Sequence, residues 1–419
     1  MSPPSSRARQ DAAPAAGSEA PMSALEDLRI VDFSRFLPGA YASWIAADLG
    51  ADVIRIEHPR ELAKHKAMFG SDEDPNAATR RRARPTYTRN KRSLLINPGH
   101  DQARAVLHRL IAEADILIED YRPGVLAKMG YGYAEMAELN PRLIYCSVSF
   151  AGQTGPYASR PGHDPAALAL AGALSRLNGL PTPTLPGLQV ADVLAGCHAT
   201  IAMLAALQAR EKSGRGQHAD IAMSDASMPL LMVTMGRHDD LDALPPPGGA
   251  WHPKGGVWEC ADGGWLCTTD MEPAYWARFC AAIGRPDLVA LQHDVAQHPA
   301  VEAELKALFR TRSRDDWFAL LSAAGTQAMP VLSIAEALAD PHNRAREMVR
   351  DVPVAGDDRP VVQLGLPFHL SASPPRAPIA AGMPGAESAA ILEALGFDEA
   401  ARFALEDSGA FASEQGAGR

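Results

Sequence analysis

Residues 29–57 read RIVDFSRFLPGAYASWIAADLGADVIRIE and contain the pattern that decides the fold. Two apolar runs, 29–33 and 53–57, are typical of buried β-strands, and a helical stretch over 41–49 lies between them. Strands that are apolar on both faces and are joined through one helix pair in parallel and are covered by helices. The stretch therefore predicts a βαβ unit within a parallel sheet.

The same alternation continues along the chain. Asp101 is the predicted N-cap of a second helix, and apolar runs at 116–118 and 143–148 predict further strands. The buried face of that helix is predicted to consist of Ala103, Val106, Leu107, Leu110 and Ile111. We therefore predict an α/β fold: a large doubly wound domain at residues 25–227, completed by residues 333–400.

The remaining segments predict a second domain and two tails. The polar stretch 58–93 is too long for a tight connection and predicts a surface or ligand-covering loop. A proline run at 245–247 indicates a smaller α+β domain, which we place at residues 228–332. Residues 1–24 have the composition of a disordered tail, and residues 401–419 are predicted to be a polar C-terminal tail.

Composition narrows the possible partners and the compartment. The 419 residues have a formal net charge of −10, so no overall basic field attracts nucleic acid. Five cysteines without a C-x-x-C pair argue against a disulfide framework and a zinc site, and indicate the reducing cytoplasm. The most apolar stretch, 193–207, is interpreted as too short to span a bilayer. No membrane or nucleic-acid partner is expected.

Several common catalytic motifs are absent from the sequence. The turn after the first strand reads FSRFLPG at 33–39 instead of G-x-G-x-x-G, which argues against a nicotinamide dehydrogenase. G-x-x-x-x-G-K-[ST], G-x-S-x-G and H-E-x-x-H are absent as well. Chemistry is therefore expected from carboxylates, histidines and backbone dipoles, without a bound metal.

Two residues beside predicted helix starts are candidates for acid–base chemistry. His163 precedes Asp164, the predicted N-cap of a helix that begins at Pro165, and a helix N-terminus favours a neutral imidazole. Asp192 begins the predicted helix 193–210. Position alone favours ordinary capping roles for both residues. The chemical alternative is an acid and a base aimed into one crevice, where helix N-termini stabilise an oxyanion.

Further candidates are one carboxylate and a set of basic residues. Glu272 lies at a helix start after a strand, where its carboxylate could orient a histidine from another domain or subunit. Separated basic sites suit a ligand with more than one phosphate, although a solvated basic surface explains them equally well. The candidate phosphate contacts are Arg55, Asn90, Lys91, Arg92 and Arg122.

Six motifs in a fixed order identify a resemblance over about residues 25–350. They are ADLGADVIRIE at 47–57, NKRS at 90–93, YRPGV at 121–125, NPRLIY at 140–145, GQTGP at 152–156 and GRGQ at 214–217. Together they resemble the class III CoA-transferase superfamily. That superfamily includes L-carnitine CoA-transferase, the bile-acid-inducible proteins, formyl-CoA transferase and the α-methylacyl-CoA racemases.

The resemblance implies a ligand and an assembly. An acyl-CoA thioester is the expected substrate, so coenzyme A enters as part of the substrate and no prosthetic group, metal or redox cofactor is expected. The family also implies an intertwined homodimer in which each chain has one large and one small domain. The alternative to an enzyme is a non-catalytic protein that binds CoA as a scaffold.

The resemblance gives the site residues two alternative roles. In transferases, Asp192 would form an acyl anhydride and then an aspartyl-CoA thioester, whereas in racemases it would exchange the substrate α-proton with His163. The order Gly162-His163-Asp164 and the glutamate at Glu272 resemble the racemases, so the sequence favours a 2-methylacyl-CoA racemase. Residues 165–167 read PAA where racemases have Ile-Asn-Tyr, which keeps CoA transfer as the alternative.

Overall fold

The structure of the protein is a computed structural model that describes residues 22–60, 76–179, 182–244 and 253–411. The chain divides into two compact units. Unit 1 comprises the described parts of Met1–Val148, Gly196–Asp220 and Asp351–Arg419, and unit 2 those of Ser149–Ala195 and Ile221–Arg350.

The strands of these ranges are β1 (Arg29–Asp32), β2 (Asp52–Glu57), β3 (Lys91–Leu95), β4 (Ile116–Glu119), β5 (Ile144–Ser149), β6 (His218–Ala222), β7 (Gly255–Glu259), β8 (Trp265–Thr269), β9 (Ala328–Val331), β10 (Val349–Val354) and β11 (Asp357–Leu364). The α-helices are α1 (Leu37–Asp48), α2 (Ala77–Ala83), α3 (Asp101–Ala112), α4 (Val125–Lys128), α5 (Tyr133–Leu139), α6 (Asp164–Leu170), α7 (Val190–Ser213), α8 (Met223–Ser227), α9 (Met232–Met235), α10 (Pro273–Ala282), α11 (His298–Phe309), α12 (Arg314–Ala323), α13 (Ile334–Ala339), α14 (Pro341–Ala345), α15 (Ser388–Ala394) and α16 (Glu399–Asp407).

A six-stranded sheet in the order β3-β2-β1-β4-β5-β6 forms the centre of the fold. The four adjacent pairs from β3 to β5 are parallel, and Val31 of β1 pairs with Ile54 on one side and with Leu117 on the other. The chain order reverses between β1 and β4, which is the switch point of a doubly wound sheet and the usual site of a ligand crevice. The predicted doubly wound fold is confirmed.

Helix α3 shows why local patterns predicted this unit correctly. All five apolar residues of its predicted buried face are inaccessible to solvent and belong to the core beside the sheet. The predicted cap is displaced by one residue. His100, whose ring accepts the backbone N–H of Gln102 at 3.3 Å, is the N-cap, and Asp101 is the first helical residue.

The predicted loop at 58–93 contains regular structure in its second half. Residues 61–75 lie outside the described residues, but α2 follows them and β3 begins at Lys91. Strand β3 pairs in parallel with β2 and buries Leu94 and Leu95. Its first two residues, Lys91 and Arg92, are charged, and this polarity concealed the strand in the sequence.

Unit 2 contains the predicted α+β module. Strands β7, β8 and β9 form an antiparallel sheet, and α10–α12 cover a core with several aromatic rings. That core includes Trp258, Trp276, Phe279, Phe309 and Trp317.

The division into units differs from the predicted boundary at 228, because residues 149–195 group with 221–350. Helix α6 packs against α8, and the backbone N–H of Ser224 donates to the carbonyl of Phe150 at 3.1 Å. These contacts join segments that are distant in sequence and therefore leave no local signal.

The two predicted tails have different outcomes. Residues 1–21 of the N-terminal tail and 412–419 of the C-terminal tail lie outside the described residues. The rest of the predicted C-terminal tail is not a tail, because α16 covers most of it and Phe411 forms a β-bridge with Ile96. Leu405 and Phe411 enter the core of unit 1, which explains why this polar-looking end is ordered.

Helix α7 is longer than the predicted 193–210. Among the described residues it is the one helix that is long and apolar enough to cross a membrane, with a mean hydropathy of 1.8. Core helices of water-soluble proteins pass the same test. One face of α7 is buried, and its members recur every three or four residues: Ala191, Ala195, Ala199, Met203 and Ala206.

Candidate active site

Asp192 lies in the first turn of α7, the longest helix among the described residues. Its side chain is partly buried. The first backbone N–H groups of a helix have no partner within it, and they favour a nearby carboxylate. The predicted position of Asp192 at a helix start is therefore correct, although α7 begins two residues earlier, at Val190.

Asp164 holds the backbone of Asp192. The N–H of Asp192 donates to Oδ2 of Asp164 at 3.0 Å. Asp164 is the first residue of α6 and is buried, and its Oδ1 is buried without a hydrogen-bond partner among the described residues. The predicted N-cap role of Asp164 in its own helix is therefore replaced by a contact with the first turn of α7.

The electrostatic surroundings of Asp192 are mostly unfavourable for its charge. Burial raises the pKa of Asp192 to about 6, the negative charge of Asp164 raises it as well, and His163 lowers it. The group is therefore mainly ionised at neutral pH, but it is easier to protonate than an exposed aspartate. A carboxylate in this state can act as a nucleophile or exchange a proton.

His163 is the N-cap residue of α6, and its side chain does not cap that helix. The ring is exposed, and its charge acts on Asp192, so the two predicted acid–base residues lie in one electrostatic environment. The backbone before it is tightly packed, since a Cβ at Gly162 would overlap the ring of Phe150. Glycine is therefore needed immediately before His163.

Glu272 is the N-cap residue of α10 and is exposed. Its Oε2 accepts a hydrogen bond from Nε2 of Gln327 at 3.3 Å. The backbone N–H of Gln327 donates to Oδ1 of the neighbouring Asp270 at 2.8 Å, which ties the Glu272 loop to the segment before β9. The predicted approach of Glu272 to a histidine of another subunit stays a prediction.

Lys91, a predicted phosphate contact, is buried inside unit 1. Its Nζ donates to Oδ2 of Asp32 at 3.1 Å, to Oγ of Ser43 at 2.6 Å and to the carbonyl of Ala40 at 3.0 Å. Burial lowers the pKa of Lys91 to about 8, against the opposing effect of Asp32. In this arrangement the ammonium group supports the sheet and α1.

Asn90 and Arg92 also have partners within unit 1. Asn90 has a φ of 57°, and its side chain donates to Oδ1 of Asp48 at 2.7 Å and accepts the N–H of Ile379 at 2.8 Å. Arg92 pairs with both carboxylate oxygens of Asp52 and is 35 % exposed. Asn90 is thus a structural turn residue, whereas the Arg92 guanidinium is partly accessible.

The last two predicted phosphate contacts differ in accessibility. Arg55 is largely buried beside Glu57, whose Oε1 lies 3.7 Å from its Nε, and two of its nitrogen atoms have no hydrogen-bond partner among the described residues. Arg122 follows β4 and is exposed. Arg122 is therefore the predicted contact that a ligand can reach most directly.

Two features of the site were not recognised from the sequence. Asp164 was interpreted as a cap, although its carboxylate acts on Asp192. Arg35 was passed over, although its guanidinium lies 3.9 Å above the centre of the ring of Tyr121, the residue that precedes the exposed Arg122 in the chain. Across the described ranges, no group of three or more His, Cys, Asp or Glu is arranged to hold a metal ion.

The doubly wound sheet and the Asp192 carboxylate at a helix start, with His163 acting on its pKa, define an α/β protein with a candidate acid–base site. The chain belongs to CoA-transferase family III, since the sequence model of that family matches residues 25–388.

Three relatives illustrate this membership. The chain is 31 % identical over 380 residues to the succinyl-CoA:mesaconate CoA-transferase of Haloarcula hispanica, covering 85 % of this chain and 94 % of the relative. It is 30 % identical over 411 residues to the formyl-CoA:oxalate CoA-transferase of Escherichia coli O157:H7, covering 90 % and 96 %. A CAIB/BAIF family protein from Brucella suis superposes with a TM-score of 0.77 at 28 % identity, over 89 % of this chain and all of that chain.

Proposed function

We propose that the protein transfers CoA from an acyl-CoA donor to a carboxylic acid, with Asp192 as the nucleophile. The observation that carries this proposal is the partly buried Asp192 carboxylate in the first turn of α7, whose pKa of about 6 leaves it ionised at neutral pH. Two of the relatives reported above are named as CoA-transferases, which supports transfer over the racemase that the sequence favoured.

The proposed reaction uses only side-chain chemistry. The Asp192 carboxylate attacks the thioester carbonyl, CoA leaves as a thiolate, and an acyl anhydride forms on the enzyme. The thiolate then attacks the Asp192 carbonyl, which releases the donor acid and leaves an aspartyl-CoA thioester. The acceptor carboxylate attacks this thioester, which releases CoA thiolate and forms a second anhydride. The thiolate then attacks the acceptor carbonyl of that anhydride and forms the new acyl-CoA. This last attack regenerates the Asp192 carboxylate.

CoA binding is proposed for unit 1. The exposed Arg122, after the carboxyl end of β4, provides positive charge for the CoA phosphates, and the buried Arg55 adds charge that acts on Asp120. Arg92 pairs with Asp52 at the amino ends of β2 and β3, which is the opposite edge of the parallel sheet, and is not part of this proposed site. Asn90 and Lys91 contribute indirectly by shaping the start of β3. Coenzyme A is part of the substrate in this proposal, and no prosthetic group takes part.

A homodimer in the cytoplasm is the proposed state of the enzyme. Unit 2 exposes a run of large apolar side chains, and such clusters mark protein interfaces. The run consists of Met228, Leu230, Met232, Val233 and Met235. The five cysteines are free thiols, which agrees with a reducing compartment.

Chemical trapping tests the role of Asp192. The protein is incubated with succinyl-CoA, acetyl-CoA or formyl-CoA and then treated with borohydride or hydroxylamine, which converts an activated aspartyl group to homoserine or a hydroxamate. Peptide mass spectrometry should locate the modification at Asp192, and the Asp192→Asn variant should remain unmodified. Turnover with no modification at Asp192 would contradict the nucleophile assignment.

Racemisation is the second candidate, and it rests on the effect of His163 on the charge of Asp192. A racemase exchanges the α-hydrogen of a 2-methylacyl-CoA with deuterated water when no acceptor acid is present. Racemisation would be favoured if the wild type exchanges this α-hydrogen, the His163→Ala variant does not, and no trapped aspartyl group is found at Asp192. Transfer instead requires an acceptor carboxylate.

A further inference from the structure

The turn between β1 and α1 directs three consecutive backbone N–H groups at two carboxylates. The N–H of Ser34 donates to Oδ1 of Asp32 at 2.9 Å. The N–H of Arg35 donates to Oδ1 of Asp120 at 2.9 Å, and the N–H of Phe36 donates to Oδ2 of Asp120 at 2.7 Å. Asp120 follows β4, so its carboxylate crosses the switch point of the sheet and reaches the start of α1.

In doubly wound folds that bind dinucleotides, the N–H groups of this turn and the following helix hold the pyrophosphate. In this chain, a carboxylate of the protein itself occupies that anion position. The turn is also closely packed, because a Cβ at Gly39 would lie 2.5 Å from Cβ of Ser34 and 3.6 Å from Oδ2 of Asp120. The N–H groups of residues 34–36 are therefore already used within the fold.

The same contacts determine where the Arg35 side chain lies. Its backbone is held by Asp120, its Nε lies 3.8 Å from Oδ1 of that residue, and its guanidinium stacks on Tyr121. The Tyr121 backbone N–H donates in turn to Oε2 of Glu119 at 2.8 Å. Arg35 is 44 % exposed, so it presents a positive charge that is held on Tyr121 and remains accessible.

We propose that Asp120 is a positioning residue for CoA thioester binding. Its carboxylate fills the anion position at the start of α1 and holds Arg35 on Tyr121, so that arginine side chains, and not backbone N–H groups, meet the ligand's phosphates at this edge of the sheet. The inference rests on the proposed CoA-transferase function and deepens it. Asp120 contacts no reacting atom and acts through Arg35.

The experiment compares Asp120→Asn and Arg35→Gln with the wild-type chain. Free CoA is titrated by calorimetry, and KM and kcat are measured with a donor and acceptor pair that the wild type uses. Because burial raises the pKa of Asp120 to about 7, all assays are made at pH 8, where the carboxylate is ionised. Both variants should weaken CoA binding and raise KM about tenfold, as expected for a charge-assisted contact. The kcat should stay within about twofold, because Asp192 is unchanged.

Asp340→Asn is the matched control. Asp340 also accepts two consecutive backbone N–H groups, those of His342 and Asn343 at 2.9 and 3.1 Å, but it caps α14 in unit 2. This variant should leave CoA affinity and KM unchanged. The double variant Asp120→Asn/Arg35→Gln should raise KM no further than the larger single effect, because the two residues act as one unit.

The outcomes separate this inference from the function on which it rests. If Asp120→Asn lowers only the melting temperature and leaves KM unchanged, Asp120 is a structural cap and the inference is wrong. If that variant does not fold, Arg35→Gln decides the question, and an unchanged CoA affinity overturns the inference. If the wild-type chain neither binds CoA nor turns over any thioester, the proposed function fails as well.

Discussion

Buried carboxylates occur in both units of the molecule, but their partners differ. In unit 1, Asp32 faces Lys91, and Asp48 accepts hydrogen bonds from Arg89 at 3.0 and 3.1 Å. Burial acts to raise the pKa of Asp32, but the charges of Lys91 and Arg55, together with hydrogen bonds from Ser34 and Ser43, outweigh it, so the pKa lies below its usual range. A carboxylate held in this way is a structural ion pair.

In unit 2, Asp192 has another carboxylate, that of Asp164, as a charged neighbour. Burial and Asp164 raise its pKa to about 6, and the partial compensation comes from His163 and not from an arginine or lysine. The comparison shows that burial alone does not identify a reactive carboxylate. A raised pKa does not identify one either, because burial raises the pKa of Asp120 in unit 1 to about 7 although backbone N–H groups of Arg35 and Phe36 occupy its carboxylate. Asp192 combines a raised pKa with a position in the first turn of a helix and a histidine that acts on it.

The largest expected effect is the loss of activity when Asp192 is replaced. Asp192→Asn keeps the size of the side chain but removes the nucleophile, so CoA transfer should fall by on the order of 10⁴-fold in kcat. Steady-state assay with the best donor and acceptor pair measures this loss. Asp315→Asn is the matched control, because Asp315 also lies in the first turn of a helix but is 82 % exposed. Equal loss in both variants would contradict the assignment.

Removing the cationic partner of a paired carboxylate in unit 1 should lower the free energy of unfolding. Lys91→Met leaves Asp32 buried without its ammonium partner and should destabilise the protein by about 3–5 kcal/mol. The midpoint of urea unfolding measures this loss. Lys306→Met removes an exposed helical pair with Glu302 and should cost less than about 0.5 kcal/mol. A similar unfolding midpoint for both variants would show that the buried pair stabilises the protein no more than the exposed pair does.

The pH profile sharpens the difference between the two kinds of carboxylate. Asp192 must be ionised to attack, so kcat at saturating donor and acceptor should fall by about tenfold per pH unit below a pKa of about 6. Asp164→Asn removes the neighbouring negative charge, which lowers the pKa of Asp192 and moves this limb to lower pH. The Asp315→Asn control should leave the limb in place. An unchanged limb in Asp164→Asn would show that Asp164 does not influence Asp192.

The smallest expected effect concerns the basic residues of unit 1. Arg122→Gln removes an exposed charge proposed to meet a CoA phosphate and should raise KM by about three- to tenfold without changing kcat. Lower affinity for CoA at higher salt should accompany it in the wild type. Arg142→Gln, at a side chain that is 55 % exposed, should leave KM unchanged. An equal KM in both variants would contradict the proposal that Arg122 contacts a CoA phosphate.

Much of the fold followed from local patterns. The βαβ start, helix α3 and the strand before Glu272 were predicted correctly, because their apolar side chains recur with the period of the element they form. Strand β3 and helix α16 were missed for a common reason. Strand β3 begins with two charged residues, and α16 has a polar face toward solvent. Only contacts with a distant segment show that their apolar residues are buried: β2 for the strand, and Ile96 beside Phe411 for the chain after the helix.

The sequence by itself determined the doubly wound class, the family resemblance and the positions of Asp192 and His163 beside helix starts. Only the tertiary structure decided what each charged residue does. Lys91 reaches Asp32 across 59 positions, and Asp164 reaches Asp192 across 28. A residue type specifies a charge, but pKa and reactivity depend on the burial and the neighbours of that charge in space. Those neighbours arise from long-range packing, which a local sequence pattern does not contain.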